Sequence, residues 1–172
     1  MISDIDYNDE TKRRILAHRQ HGEIDMSNEQ PSYSGISAAD LQTLRTFYGA
    51  FEGNLSLLDE SVVLEWQDIP LAPGQAAGRD GFKPMIAAFS EAFADLKIEI
   101  VDVIGGPDKA AVRAVISGRH VGVWFGVAPT GHEFSLPIHE FHAFENGRIT
   151  HTWHMEDWMG WFAQMGAWPF KN

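Results

Sequence analysis

The sequence predicts an α+β fold in which a strongly bent antiparallel sheet packs on N-terminal helices. Two segments with helical spacing of apolar residues, 38–51 and 80–95, come first, and a short strand at 62–66 lies between them. From Leu96 onward the pattern changes to strand-like alternation, which lasts until a closing helix at 156–165. A bent sheet packed on helices leaves a conical pocket between the two layers, and we expect the functional site in that pocket.

Each of the first two helices presents one apolar stripe. Ser37 and Asp40 resemble a capping box at the start of the first helix, and Asp80 or its neighbour caps the second. Tyr48 is the member of its stripe with a polar tip, so it either points into the pocket or is a core tyrosine with a satisfied hydroxyl. The two stripes consist of Leu41, Leu44, Phe47, Tyr48 and Phe51, and of Phe82, Met85, Ile86, Phe89 and Phe93.

The second half of the chain is expected to form an antiparallel meander. Its strands are predicted at 97–104, 110–125, 132–144 and 148–155, with turns at 105–108, at Thr130-Gly131 and at Asn146-Gly147. Glycines 118, 122 and 126 interrupt the long second strand, which indicates bends or bulges there.

The length of 172 residues is typical of one domain with a substantial core. We expect that domain to run from 37 to 172. Residues 1–36 contain few large apolar groups and predict a polar N-terminal arm, with a short helix at 8–21 and a linker at 22–35. Such an arm could pack on a partner subunit.

Charge and cysteine content exclude several classes of function. The formal net charge of −11 disfavours nucleic acids and anionic membranes as partners, because both bind basic surfaces. The chain has no cysteine, so it has neither a disulfide framework nor thiolate chemistry. Its first residues lack an apolar signal region, and no stretch is long and apolar enough for a membrane span. We therefore predict a soluble cytoplasmic protein.

The main functional clue is a hairpin that turns at Asn146-Gly147. Asn-Gly favours a type I′ turn, because both central residues of that turn adopt positive φ. Counting outward from the turn pairs Glu145 with Arg148 and sets His139 opposite His154. Because side chains alternate along a strand, one face should carry His139, Phe141, Ala143, Thr150, Thr152 and His154.

The other face of this hairpin also carries histidines. We expect it to form a dimer surface or an exposed face of the sheet, although the turn alone does not decide which of the two faces lines the pocket. Its members are Glu140, His142, Phe144, Ile149, His151 and Trp153.

Two neighbouring imidazoles in an apolar pocket suit proton transfer, since their unperturbed pKa of about 6.5 lies near working pH. Both cannot be charged at low cost, so one of them should act as a base or acceptor. Asp157, three residues after His154, could hold the His154 tautomer, although capping the closing helix is the commoner role of such a residue. His120 could reach the same pocket, or it could bond to backbone at a strand end.

A metal site is not supported by spacing. His120, His139 and His154 could together form a three-histidine zinc set, but the sequence has no His-x-His, no HExxH and no cysteine ligand. Nucleophile motifs, phosphate-binding glycine loops and dinucleotide fingerprints are also absent. We therefore expect neither a metal nor a cofactor.

The run from Gly118 to Pro169 resembles the C-terminal half of the SnoaL-like polyketide cyclases. The motifs that carry this resemblance are Gly-x-His-x-Gly at 118–122, Thr130-Gly131, Asn-Gly-Arg-Ile at 146–149, and then Trp153 and Asp157. The helix at 38–51, the segment PLAPGQAAGRDGF and the order of elements also match, so the likeness covers about 36–169.

The resemblance implies a cone-shaped, cystatin-like α+β barrel of the nuclear-transport-factor-2-like superfamily, usually a homodimer. It also implies a deep apolar pocket and cofactor-free acid–base chemistry. In the characterised cyclases an aspartate on the last strand removes a proton next to a carbonyl, and the resulting enolate closes a ring by aldol addition. A histidine on the preceding strand assists. On this chain the two positions correspond to His154 and His139.

The expected function is a cofactor-independent acid–base enzyme, resembling polyketide ester cyclases, that acts on a small apolar carbonyl-containing molecule. His154 is the expected base, His139 its acid or oxyanion partner, and Asp157 the residue that orients His154. Alternatives are an isomerase, dehydratase or epoxide hydrolase on the same fold, a non-enzymatic binder of hydrophobic ligands, and a dimeric scaffold with a collapsed pocket. The expected substrate-binding residues are His120, Tyr48, Trp66, Phe141 and Thr152.

Overall fold

The computed structural model describes residues 31–168. The predicted helix at 8–21 lies outside the described residues. The strands are β1 (Ser32–Ser34), β2 (Val62–Ile69), β3 (Phe93–Gly105), β4 (Lys109–His120), β5 (Glu133–Glu145) and β6 (Arg148–Glu156). The α-helices are α1 (Ala38–Gly49), α2 (Ser56–Ser61), α3 (Arg79–Ala92) and α4 (Trp158–Gln164), and a 3₁₀ turn at Ala50–Glu52 follows α1.

The six strands form one curled sheet in the order β1-β3-β4-β5-β6-β2, with helices packed against it. The predicted α+β class is confirmed. The four central strands pair antiparallel, as expected, whereas β1 and β2 join the two edges in parallel and make the sheet mixed. Three residues of the segment predicted as an arm, Ser32–Ser34, thus pair with β3.

The core lies between the concave face of the sheet and helices α1 and α3. Ser37 caps α1 as predicted, accepting a hydrogen bond from the Asp40 backbone N–H at 3.0 Å. Alternate residues from Ala110 to Ile116 of β4 and from Phe134 to His142 of β5 are buried on the concave side, since side chains alternate along these strands. The helices contribute Leu44, Phe47, Tyr48, Phe82, Ile86 and Phe89 to this core.

The β5–β6 turn forms as the sequence predicts. Asn146 and Gly147 have φ angles of 51° and 74°, the positive values that a type I′ turn needs. Glu145 pairs with Arg148, which confirms the predicted starting register. The Thr43 hydroxyl of α1 donates to the Gly147 carbonyl at 2.9 Å and holds the turn against that helix.

The register predicted farther along this hairpin is wrong. It shifts between Ala143 and Phe144, because β6 contains one extra residue there, Thr150. His154 is therefore opposite Glu140, and His139 is opposite Met155. One inserted residue exchanges the two faces of a strand, so His154 lies on the same side as Glu140 rather than with His139.

The outer face of the sheet carries several large apolar side chains that are exposed to solvent. Phe141 is 61% exposed and Met155 is 70% exposed, with His139 and Trp153 also exposed beside them. The homodimer stays a prediction.

Within the part of the chain that the structure describes, no helix combines the length and apolar character needed to cross a bilayer.

Candidate functional site

A chain of hydrogen bonds crosses the buried concave face. Trp66 of β2 donates its indole N–H to the Thr152 hydroxyl at 3.0 Å, and that hydroxyl lies 3.0 Å from Nδ1 of His142. On its other side, His142 Nε2 lies 3.1 Å from the Tyr48 hydroxyl, which donates to the Glu140 carboxylate. All five side chains are at least nine-tenths buried, so each polar atom depends on these partners.

The partners of this chain assign the direction of its protons. Because Tyr48 donates to Glu140, Nε2 of His142 faces two acceptors, the Tyr48 oxygen and, at 3.3 Å, the Glu140 carboxylate, and we assign a proton to Nε2. Thr152 accepts from Trp66 and can donate its own proton to Nδ1 of His142. Nε2–H then faces the Tyr48 oxygen, whose proton points at Glu140. Burial, followed by the negative charge of Glu140, raises the pKa of Tyr48 well above 10. Tyr48 therefore stays protonated as a donor.

Next to this chain lies a cluster centred on His154, whose side chain is 20% exposed. Its Nδ1 is 2.6 Å from the Glu156 carboxylate. Its Nε2 is 3.0 Å from the Pro70 carbonyl oxygen and 3.5 Å from Oδ1 of Asp68. Both ring nitrogens thus face groups that can only accept hydrogen bonds.

This geometry holds His154 in its doubly protonated, cationic form. Each ring nitrogen needs a proton to satisfy the acceptor in front of it. Burial lowers the pKa of His154, but the hydrogen bond and charge of Glu156, together with the charge of Asp68, outweigh burial and raise that pKa to about 9. At neutral pH the ring carries a positive charge and has no free site for a further proton.

Asp68 is the buried carboxylate that neighbours this cation. Burial raises its pKa to about 6, while the positive charge of His154 and a hydrogen bond from Gln75 act in the opposite direction. The Gln75 amide donates to Oδ2 of Asp68 at 3.0 Å, which fixes the plane of the carboxylate. Asp68 is therefore largely ionised at neutral pH yet remains within reach of protonation.

A groove of about 770 Å³ runs along β2 and the segment that leads into α3. Its walls combine apolar residues, among them Leu64, Trp66 and Leu71, with the acidic residues Glu65, Asp68 and Asp80. Two of these, Leu64 and Leu71, are about half exposed. An apolar molecule in this groove would lie against leucine side chains and next to one carboxylate of the His154 cluster.

Four of the residues predicted for the site lie together. His154 occupies the cluster just described, and Tyr48, Trp66 and Thr152 belong to the buried chain beside it. The cross-strand pair of Glu140 and His154 connects this chain of hydrogen bonds to the His154 cluster.

Three other predictions of position are wrong. His139 and Phe141 lie on the outer face of the sheet, because β5 turns the alternate residues Glu140 and His142 to the buried side. The extra residue Thr150 in β6 places His154 with that buried set rather than with His139. Asp157 does not hold His154: its carboxylate accepts from the Gly160 backbone N–H at 2.9 Å and caps α4, whereas Glu156 contacts the ring of His154.

His120 is buried on the concave face but far from this cluster. It follows Gly118, which pairs with Phe134, and Phe134 precedes Glu140 by six residues, or about 20 Å along a strand. Its Nδ1 lies 3.2 Å from the Thr130 hydroxyl, and burial lowers its pKa below the usual value. The structure therefore does not bring His120 to His154.

Sequence reasoning missed Asp68, Glu140, His142 and Glu156. Asp68 had a usable signal, because it shares the alternation of Trp66 two residues earlier on β2. A count from the turn without the extra residue Thr150 puts Glu140 and His142 on the face opposite to Thr152 and His154. Among the described residues, no group of three histidine, cysteine, aspartate or glutamate side chains is arranged to hold a metal ion.

Comparisons with known proteins place this geometry in a family. The sequence profile of the SnoaL-like polyketide cyclases matches residues 42–165. Aklanonic acid methyl ester cyclase AcmA from Streptomyces galilaeus is 40% identical over 83 residues. That match covers 47% of this chain and 55% of AcmA, so it spans only about half of each protein.

Solved structures share the fold. TsrD from Streptomyces laurentii superposes with a TM-score of 0.70 at 28% identity, over 77% of this chain and 98% of TsrD. A Catenulispora acidiphila protein with a ketosteroid isomerase-like fold superposes with a TM-score of 0.61 at 17% identity, over 73% and 92% of the two chains, which supports the fold alone. With most of its length matched by the family profile, the chain belongs to the SnoaL-like polyketide cyclase family.

Proposed function

We propose that this protein catalyses proton transfer in a cyclase-type reaction on a small apolar molecule that bears carbonyl groups. The observation that carries the proposal is the His154 cluster, a cation among carboxylates at the edge of the concave face and beside a groove with apolar and acidic walls. A charged pair next to apolar walls can remove and return a proton without a bound cofactor. Family membership and the likeness to AcmA support a cyclase as the type of enzyme.

The His154 role in this proposal differs from the one expected from sequence. A ring that is already doubly protonated cannot accept the substrate proton at neutral pH, so His154 supplies positive charge instead of acting as base. That charge stabilises a carboxylate base in its ionised form and favours the build-up of negative charge on an enolate nearby. The base itself is then a carboxylate.

The proposed reaction is an isomerisation. The base takes a proton from a carbon next to a carbonyl, and the electron pair of that C–H bond gives an enolate. The enolate carbon attacks a second carbonyl in the same molecule, so that one C–C bond forms and an alkoxide results. The alkoxide takes up a proton, and the ring product has the same composition as the substrate.

Incubation of the purified protein with aklanonic acid methyl ester, named from the relative AcmA, tests this proposal. We expect a product of identical mass and different retention by liquid chromatography. In D₂O, we expect deuterium at the substrate carbon next to the carbonyl, because a general base exposes that carbon to solvent protons. A substrate that binds but shows neither ring closure nor exchange would support a non-enzymatic binding protein and contradict the proposed function.

A further inference from the structure

We propose that Asp68, on the edge strand β2, is the catalytic base of this site. The inference rests on the proposed function and assigns its central step to one residue. This assignment follows from three observations. Asp68 lines the groove, its Oδ1 lies 3.5 Å from Nε2 of His154, and its Oδ2 accepts a hydrogen bond from Gln75 at 3.0 Å. A base needs access to substrate, a fixed orientation and a neighbouring charge, and Asp68 has all three.

The other two carboxylates of the cluster are already engaged. Glu156 is 2.6 Å from His154 Nδ1, and loss of that contact would remove the acceptor that holds the ring. Glu140 is 8% exposed, and it accepts from the Tyr48 hydroxyl while lying 3.3 Å from His142 Nε2. Neither residue belongs to the walls of the groove, whereas Asp68 does.

The position of Asp68 on its strand explains how it reaches both sides. Its Cα pairs with that of Thr152 on β6, so its carboxylate lies close to His154 two residues later. β2 is an edge strand of the sheet, and its residues line the groove. Asp68 is only 6% exposed, but it is adjacent to the groove that a ligand can enter.

The charges around Asp68 suit a base that works near neutral pH. Burial and the carboxylates of Glu140 and Glu156 raise its pKa, while His154 and Gln75 lower it, and the resulting pKa is about 6. A carboxylate with this pKa is ionised at pH 7 and binds a proton more strongly than an exposed aspartate does. Asp68 can therefore take the carbon proton, exchange it with solvent, and deliver a proton either back to the carbon or to the alkoxide, which balances the cycle.

An Asp68→Asn variant tests the assignment, with Asp95→Asn as its matched control. Asparagine keeps the shape of the side chain and its contact with Gln75 but cannot accept the substrate proton. We expect Asp68→Asn to lower kcat by about 10²-fold or more, the usual contribution of a general base, and to abolish deuterium exchange at the substrate carbon. Asp95 is remote, with a side chain that is 75% exposed and paired with Arg119, and Asp95→Asn should keep wild-type activity.

A second variant, Asp68→Glu, protects the test against a folding defect. It retains a carboxylate, so partial activity and measurable exchange should return if Asp68 is the base. Full exchange in folded Asp68→Asn would overturn the assignment while leaving the proposed function intact. A wild-type protein that shows neither exchange nor ring closure would instead overturn the proposed function, so the two failures are distinguishable.

Discussion

Replacing His154 with glutamine should lower kcat/KM at pH 7 by about 10- to 100-fold and should restore much of that loss at pH 9. The charge of His154 lowers the pKa of Asp68, and an opposite charge at this separation shifts a pKa by about 1 to 3 units. Without this cation, burial and the charges of Glu140 and Glu156 should raise the Asp68 pKa above about 6. Asp68 then stays protonated at pH 7 and ionises only as pH rises.

The measurement is the pH profile of kcat/KM for the free enzyme, whose acidic limb reports the pKa of the base. The wild-type limb should lie near pH 6, and the His154→Gln limb should lie at higher pH. His151→Gln is the matched control, because His151 is on the same strand but stacks on Trp153, with ring centroids 5.4 Å apart. A His154→Gln profile that coincides with the wild-type profile would refute this role.

Replacing Trp66 with alanine should lower the free energy of unfolding by about 3 to 5 kcal/mol, the usual cost of truncating a buried aromatic side chain. Trp66 is fully buried, and its ring contacts Phe47 and Phe82 at centroid distances of 5.7 and 5.0 Å. The variant also leaves the Thr152 hydroxyl without its donor. Urea unfolding at pH 7 measures the change, read at constant m value.

Trp66→Phe separates the two parts of this effect. Phenylalanine keeps most of the ring contacts and loses the hydrogen bond to Thr152, so we expect a smaller cost of about 1 to 2 kcal/mol. Equal costs for the two variants would mean that packing against Phe47 and Phe82 contributes little. A Trp66→Ala cost below about 1 kcal/mol would contradict the burial of this side chain.

The hairpin shows how far the sequence could predict this site. Asn146 and Gly147 define the turn and its first pair because their chemistry requires positive φ. The extra residue Thr150 carries no comparable signal, since any residue can occupy a bulge of this kind. A count from the turn therefore placed His154 on the wrong side relative to Glu140 and left out His142.

Strand ends limited the prediction in a second way. The sequence predicts that β2 ends at Trp66, but the strand continues to Ile69, which brings Asp68 into the sheet. Conversely, the sequence predicts that β4 reaches Phe125, but the strand ends at His120. The Val121 and Gly122 backbone N–H groups turn away and donate to the Ala92 carbonyl. A Cβ at Gly122 would lie 2.5 Å from the Glu91 carbonyl oxygen, so its glycine did mark this bend.

A histidine NMR titration tests the charge of His154 most directly, and it requires no substrate. With ¹⁵N-labelled histidine and His154→Gln to assign the signal, both ring nitrogens of His154 should be protonated at pH 7, with a midpoint near pH 9. A ring that is neutral at pH 7, with a midpoint at or below the ordinary value of about 6.5, would contradict the proposed charge distribution and with it the assignment of the base to a carboxylate.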